Sequence, residues 1–547
     1  MSEPKQDSVE IITLDHQERA STSVATHAVP ITISSSNDFD GEIATYENRK
    51  MDARTFLATV SLAFTYEAGL LSFVLPTAIL FSINADIGPS MQINWVATAW
   101  SLSSAVVQTI AGRCSDIFGR RNFTLAGNLL GLAGCAIASR ASSVNTVIAG
   151  SALMGIGSAG QQLSWACASE IVPKKARGQV LAFLNLAALP GSAFGSVIAF
   201  ALVAHLSWRW AFYIGIIANG FALLLTGLFY WPPSFIGLHP EGKSRLQLFQ
   251  ELDFLGLVLF GGGLGAFLLG LSFGNNPHPW SSKHVLAPLL IGAVTLFVAF
   301  PAWEFNCPKK TAKLCPPAIF KNVRGFTLPI CVVFVSGMLS FGPKAINPFH
   351  NGAMTALMRW LEVQLLFATD PTTVGWYSLS YNAAATLGGV VASVMFARIR
   401  RTRWQFLLVT ILQCVFIASM ASIDQHSPRR AIAFVAIAAF NVGASQIIGT
   451  LIIQFGANDR EIRLATGLTG SIRATGGAIA IAIYGSIITS RVQTNLVPDV
   501  TAAAIEAGLP SSAIKAFITA LTSGSSAALG SIESITPDII AAGRNSL

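Results

Sequence analysis

The chain is built around apolar runs long enough to cross a lipid bilayer. A helix rises ~1.5 Å per residue and the hydrocarbon layer is ~30 Å thick, so one crossing takes about 20 apolar residues. Thirteen runs qualify, at 55–80, 92–112, 122–140, 145–168, 179–204, 211–231, 254–273, 285–303, 325–342, 372–397, 404–421, 431–455 and 464–489. Inside hydrocarbon each backbone polar group needs a partner in its own structure, which admits helices or closed barrels, and runs of this length select helices. With 52% hydrophobic and 11% charged residues among 547, polar side chains are too few to cover a water-soluble globule. The expected fold class is therefore all-α and polytopic in a membrane.

The formal charge of +8 follows topology. Basic residues gather in alternate connections: Arg113, Arg120 and Arg121; Lys174, Lys175 and Arg177; Lys243 and Arg245; Lys309 to Arg324; Arg398 to Arg403; Arg460 and Arg463. Cytosolic connections carry that excess, and Arg49, Lys50 and Arg54 before the first run place the N-terminus in the cytosol. Residues 1–53 are polar, lack the apolar core of a cleavable leader and read as a disordered cytosolic tail. No basic face with interleaved aromatics suggests nucleic acid as a partner. The seven cysteines (Cys114, Cys135, Cys167, Cys307, Cys315, Cys331, Cys414) are scattered and lack the spacing of a metal site. No nucleophile, base and orienting group assemble in a soluble stretch, so neither an enzyme nor a cofactor is expected.

The loop after the second run, Gly112-Arg113-Cys114-Ser115-Asp116-Ile117-Phe118-Gly119-Arg120-Arg121, has a weaker echo at Gly388-Gly389 with Arg398, Arg400 and Arg401. Glu170 to Gly178 after the fourth run is matched by Asn458 to Arg463 and Gly467 after the twelfth. Such duplication marks transporters made of structural repeats. The first loop resembles the signature of the major facilitator superfamily: a glycine, an acid four positions on, a glycine three further and two basic residues. That resemblance implies a gating loop of Gly112, Asp116, Gly119, Arg120 and Arg121, in which Asp116 accepts hydrogen bonds from Arg120, Arg121 or a helix end and latches the cytosolic side. Ser207-Trp208-Arg209-Trp210-Ala211-Phe212-Tyr213, Ala368-Thr369-Asp370-Pro371 with Gly375, Trp376, Tyr377, Tyr381 and Asn382, Ile472 to Gly477, and Gly508 to Ser512 are similar to the fourteen-span drug:proton antiporter branch, and within it to fungal trichothecene efflux pumps and siderophore transporters. The implied layout is an N-terminal six-helix bundle (54–231), a linker with two extra spans (232–304), a C-terminal bundle (305–490) carrying an insertion near 343–362, and an amphipathic tail (491–547).

Glu67, near the middle of the first run and ahead of Leu75-Pro76, sits where the antiporters carry an acid. An acid at that depth costs roughly 2.5–3.5 kcal/mol unless protonated or paired. It is the candidate proton carrier, with a bond to a neighbouring helix as the alternative. Arg473 either binds an anionic group or compensates an acid, or else reaches the cytosolic interface. Gln161, Gln162 and Trp165 offer amide and aromatic surface for an oxygenated, uncharged ligand, with Gln161 and Trp165 expected on one face. Ser151 stands where the family often has arginine. Pro190 and Gly195 only loosely resemble the antiporter signature of the fifth span. Gly261-Gly262-Gly263 and Gly476-Gly477 read as close helix packing.

These readings converge on a secondary active transporter: proton-coupled efflux of a small organic molecule such as a fungal toxin or drug, by a monomer in the plasma membrane, with vacuolar or vesicle membranes as alternatives. Small molecule, protons and lipid are the expected partners. Siderophore-iron uptake is the rival function. A fourteenth span is not evident, which would leave the C-terminus outside and makes a truncated, inactive or receptor-like remnant the third reading.

Overall fold

A computed structural model describes residues 52–172 (except 89, 91 and 94), 176–232, 253–274, 278–307, 320–345, 371–399, 401–419, 428–456, 462–491 and 497–506, with isolated positions elsewhere. The expected N-terminal tail and most of the 343–362 insertion lie outside this set. Among the described residues the regular structure is helical, apart from one isolated bridge between Gly274 and His278.

The first span is α1 (Ala53–Ala78), capped by Asp52, followed by α2 (Leu80–Ile87). Pro76 lies inside the last turn of α1, and the helix is interrupted at Ile79. Next come α3 (Trp95–Phe118) and α4 (Arg120–Ser139). Gly119 joins them at φ 89°, a left-handed conformation that only glycine adopts without strain. The fourth span divides into α5 (Val144–Gln162) and α6 (Ser164–Glu170) at Leu163. The fifth, expected as one run, is three pieces: α7 (Arg177–Ala187), α8 (Leu189–Ser192) and α9 (Gly195–His205). Pro190 starts the middle piece, where its missing N–H costs nothing. The sixth span is α10 (Arg209–Phe229).

The linker hairpin consists of α11 (Phe254–Phe273), α12 (Lys283–Val294) and, after a π-type turn, α13 (Phe300–Asn306). The second half holds α14 (Leu328–Ala345), α15 (Pro371–Ile399), α16 (Thr402–Ser419), α17 (Pro428–Gly456), α18 (Ile462–Arg491) and the short α19 (Val497–Glu506). Val500, Ala504, Leu509, Phe517 and Ile539 of the tail are buried.

Among the described residues eight helices are long and apolar enough to cross a membrane. The other five expected runs became α3, α5–α6, α7–α9, α14 and α18; α14 is apolar but short over its described part, and the others are broken or rich in Ser, Thr, Gly and Gln. Helices α1, α3, α4, α5 and α10 pack together in the first half, and α14, α15, α16, α17 and α18 in the second. The two groups meet where α3 packs on α18 and where α7 and α9 pack on α15. Helix α11 rests on both α3 and α18, through Leu264 and Leu268 against Ala105 and Ala474.

Glycine sets these approaches. A Cβ at Gly157 would lie 2.6 Å from the Gly127 carbonyl oxygen, and one at Gly134 2.7 Å from that of Gly150, so α4 and α5 touch backbone to backbone. Gly476 faces the Phe334 carbonyl in the same way, and Gly263 faces Leu296 and Thr295, so these two runs do pack helices closely. Outward faces are apolar: Ile217 and Leu224 on α10, Ile291 and Val294 on α12, Trp404 and Leu408 on α16 are all exposed. Hydrocarbon is the solvent that suits such a surface.

Candidate functional site

The junction of the two helical groups holds a cavity with about 1010 Å³ of open space, including its mouth. Aromatic walls come from Tyr66, Phe73, Trp100 and Trp165; polar groups come from Gln162, Asn185, Asn382, Thr386, Gln446 and Arg473. The rings brace one another. Phe73 stacks on Trp100 at 4.0 Å between centroids, and Tyr66 meets Trp165 edge-on at 5.3 Å. A smaller, more polar cavity with about 430 Å³ of open space, its mouth included, adjoins it, sharing Gln162, Trp165, Gln446, Ile447 and Arg473 and adding Gln108, Thr450, Thr466 and Thr469.

A polar strut crosses the junction. Gln162 Oε1 accepts from Arg473 on α18 at 3.0 Å and from Gln108 Nε2 on α3 at 3.0 Å. Ser471 donates to the Ala105 carbonyl at 3.1 Å, and Ser192 shares a hydrogen bond of 2.9 Å with Thr386. Gly467 lies close to Gly112, so this member of the expected gating loop sits at the α3–α18 crossing.

Gln162, Trp165 and Arg473, all expected at the cavity, line it. Gln161 does not. Its amide donates to Asn128 at 3.1 Å and to Asn219 at 2.6 Å, inside a buried network that continues to Thr65, Ser72 and Thr226. Leu163 keeps helical dihedrals (φ −62°, ψ −17°), so helical spacing runs on through it, and Gln161 lies at the edge of the cavity face, turned towards α4 and α10. The cavity face instead carries Ser158, Gln162 and Trp165.

Glu67 is buried between α1 and the break in the fifth span, one residue from the cavity-lining Tyr66. Its Oε1 accepts the Gly191 N–H at 2.5 Å, an N–H that the short helix α8 leaves without a helical partner. Its Oε2 has no hydrogen-bond partner among the described residues.

The basic pair of the expected gating loop is anchored inside the first half. Arg120 forms a buried ion pair with Glu170 at the end of α6. Arg121 donates to the Gly227 carbonyl at 2.5 Å and lies 3.6 Å over the Trp231 ring. Their described partners are thus Glu170, Gly227 and Trp231; the Asp116 side chain lies outside the described residues. At the opposite end Asp86 accepts from Trp208 Nε1 at 2.8 Å and from Arg209 at 3.0 Å. Trp208 is buried in this clasp, while Trp210 and Tyr213 are the exposed aromatics of an interfacial anchor.

Gln108, Asn185, Ser192, Thr386 and Gln446 were not singled out from the sequence. The available signal was a polar side chain in mid-run, the same signal that marked Gln162. Tyr381 and Asn382 drew notice only as part of a family-like motif, and both line the cavity.

Comparison with known proteins gives this cavity its context. Residues 50–546 match the family described as fungal trichothecene efflux pump (TRI12). The chain is 28% identical over 469 residues to the trichothecene efflux pump TRI12 of Fusarium sporotrichioides, covering 84% of this chain and 75% of that protein. It is 30% identical over 465 residues to the TRI12 pump of Trichoderma arundinaceum, covering 82% and 73%. Among solved structures, the human organic anion transporter MFSD10 (TETRAN) matches with a TM-score of 0.51 at 14% identity, covering 80% of this chain and 94% of that one, which supports the fold alone. A polytopic helical protein of major facilitator type, with its cavity between two helical groups, this chain belongs to the fungal trichothecene efflux pump family.

Proposed function

We propose that the protein exports an oxygenated, largely apolar small molecule across the plasma membrane as a monomer, driven by protons carried on Glu67. The observation that carries this reading is the cavity at the junction of the two helical groups, walled by aromatic rings and edged with amides and hydroxyls. Such a lining suits an apolar ring system bearing oxygen functions. Residues 54–231 and 305–490 act as two bundles that rock about the cavity, with 232–304 as a linker resting on both. The strut from Gln108 through Gln162 to Arg473 is a contact that rocking would remake. The names of the relatives, trichothecene pumps in two fungi, make a fungal toxin of that kind the first substrate to try.

Glu67 is a buried acid next to the cavity wall, and its bond partner Gly191 adjoins Ser192, which reaches Thr386 in the other group. Loss of the charge would loosen that contact, so protonation and rocking are linked through one short helix. The test is flux of a radiolabelled trichothecene by the full chain in liposomes. Accumulation should rise when an opposing proton gradient is imposed and collapse with a protonophore; flux indifferent to the gradient would remove proton coupling, and absence of flux would remove the substrate class.

A further inference from the structure

The basic residues after the second run and those of its echo in the second half are held differently. Arg120 pairs with Glu170, and Arg121 reaches Gly227 and Trp231. At the α15–α16 connection Arg398, Arg401 and Arg403 are exposed, and among the described residues their guanidinium groups have no hydrogen bond, ion pair or ring contact. No aspartate or glutamate occurs between Asp370 and Asp424. These three positive charges gather at one end of a cleft. Helices α15 and α16 are separated by residues 400 and 401, and each packs along α17, yet they make little contact with each other. Ala392 and Phe396 of α15, Phe406 and Val409 of α16, and Ala444 and Ile448 of α17 form the apolar floor between them. At the basic end the Gln405 side chain donates to the Met395 carbonyl at 3.3 Å and ties the two helices together. Trp404, 64% exposed, stands beside the arginines at the position of an interfacial anchor.

We infer that this cleft binds an anionic phospholipid, with its headgroup on the arginines and an acyl chain against the apolar floor. Guanidinium forks match the oxygens of a phosphate, and the chain meets the same kind of surface it has in the bilayer. Val391 and Met395 on α15 and Leu408 and Ile411 on α16 add exposed apolar surface on the two helices. Membrane topology asks only that basic residues stand at this end of the bundle. It does not ask that they stand at the mouth of an apolar cleft with no acid to pair them, and a lipid headgroup does. A soluble phosphate would use the arginines and leave the cleft unfilled. A second copy of the chain, paired about a twofold axis, would set the same three charges against each other. The inference is independent of the export reading, since it needs neither the central cavity nor Glu67.

The test is competition for the purified full chain in detergent, with phosphatidylserine labelled by a fluorophore on one acyl chain as the probe and anisotropy as the readout. Each arginine beside an anionic headgroup strengthens binding several-fold, so unlabelled phosphatidylserine should displace the probe about tenfold more strongly than phosphatidylcholine of the same chains. Glycerophosphoserine, the headgroup without its chains, should not displace it at the same concentrations. Changing Arg398, Arg401 and Arg403 together to Gln should bring the two lipids within about twofold of each other, while changing them together to Lys should retain most of the preference. Lys321→Gln with Arg324→Gln, on exposed residues of another basic connection, should leave the preference unchanged. Arg398→Gln, Arg401→Gln and Arg403→Gln taken singly should each remove part of it, which keeps the test decisive if the triple variant does not fold. Equal displacement by the two lipids in the parent overturns the inference, as does an equal loss of preference in the variant at 321 and 324. Displacement by glycerophosphoserine as strong as by phosphatidylserine overturns it too, because the site would then be one for a soluble anion.

Discussion

Glu67 and Gly191 are joined by a hydrogen bond of 2.5 Å from the glycine N–H to the carboxylate, across the gap between α1 and α8. A glutamine at 67 offers the same acceptor in the same shape and lacks only the exchangeable proton. Glu67→Gln should therefore abolish flux driven by a proton gradient while leaving substrate counterflow intact. Gly191→Ala should also impair gradient-driven flux, because its Cβ would lie 2.9 Å from each carboxylate oxygen and push the Glu67 head group aside. Gradient-driven flux in Glu67→Gln equal to the parent would remove Glu67 as carrier.

The Arg120–Glu170 pair is buried on both sides, with 6% and 14% of the side chains exposed. Removing one partner of such a pair leaves the other charge buried, at a cost of about 3–5 kcal/mol. Arg120→Ala should lower the midpoint of thermal unfolding sharply, and adding Glu170→Ala should restore much of the loss. A double variant no more stable than the single one would mean that the pair acts through another contact.

Asp86 lies beyond the apolar part of the first span, and hydrogen bonds from Trp208, then Arg209, hold its carboxyl below the ordinary aspartate value of 3.8. The folded form prefers the charged acid. The clasp therefore contributes fully above pH 3.8 and is lost as pH falls through the lower folded value. Thermal unfolding of Asp86→Asn and parent should differ at pH 6 and converge towards about pH 2. Parallel curves over the whole range would contradict the assignment.

The membrane fold was legible because hydrophobic run length is written directly in the sequence, and so was the close packing at Gly263 and Gly476. Helix breaks were harder to read. The run 179–204 remains apolar through Ala188, and only Pro190-Gly191 hints that an N–H is released there for Glu67. Gln161 is next to Gln162 and four positions from Trp165, so spacing alone puts it near the cavity face, whereas it completes a buried network. Which mid-run polar side chains face the cavity depends on helix rotation in the packed bundle, a tertiary property; Gln108 and Gln446 were missed for that reason. Gly388-Gly389, the echo of the first loop, lies inside α15 against α17, as Gly112 lies inside α3.

That placement gives a contrast between two glycines. A Cβ at Gly388 would land on the Phe440 carbonyl oxygen of α17, a backbone atom that cannot step aside. A Cβ at Gly262, within the linker helix α11, would meet nothing within 4 Å. Glycine in a helix interior is roughly 0.5–1 kcal/mol less favourable than alanine when nothing else intervenes. Gly262→Ala should therefore raise the thermal midpoint slightly and leave flux unchanged. Gly388→Ala should lower it, since overpacking a tight contact costs about 1–3 kcal/mol and parts α15 from α17. Helix α15 also carries Tyr381, Asn382 and Thr386 into the cavity, so its displacement should weaken substrate binding together with stability. A Gly388→Ala chain as stable as the parent would show that the two backbones do not touch.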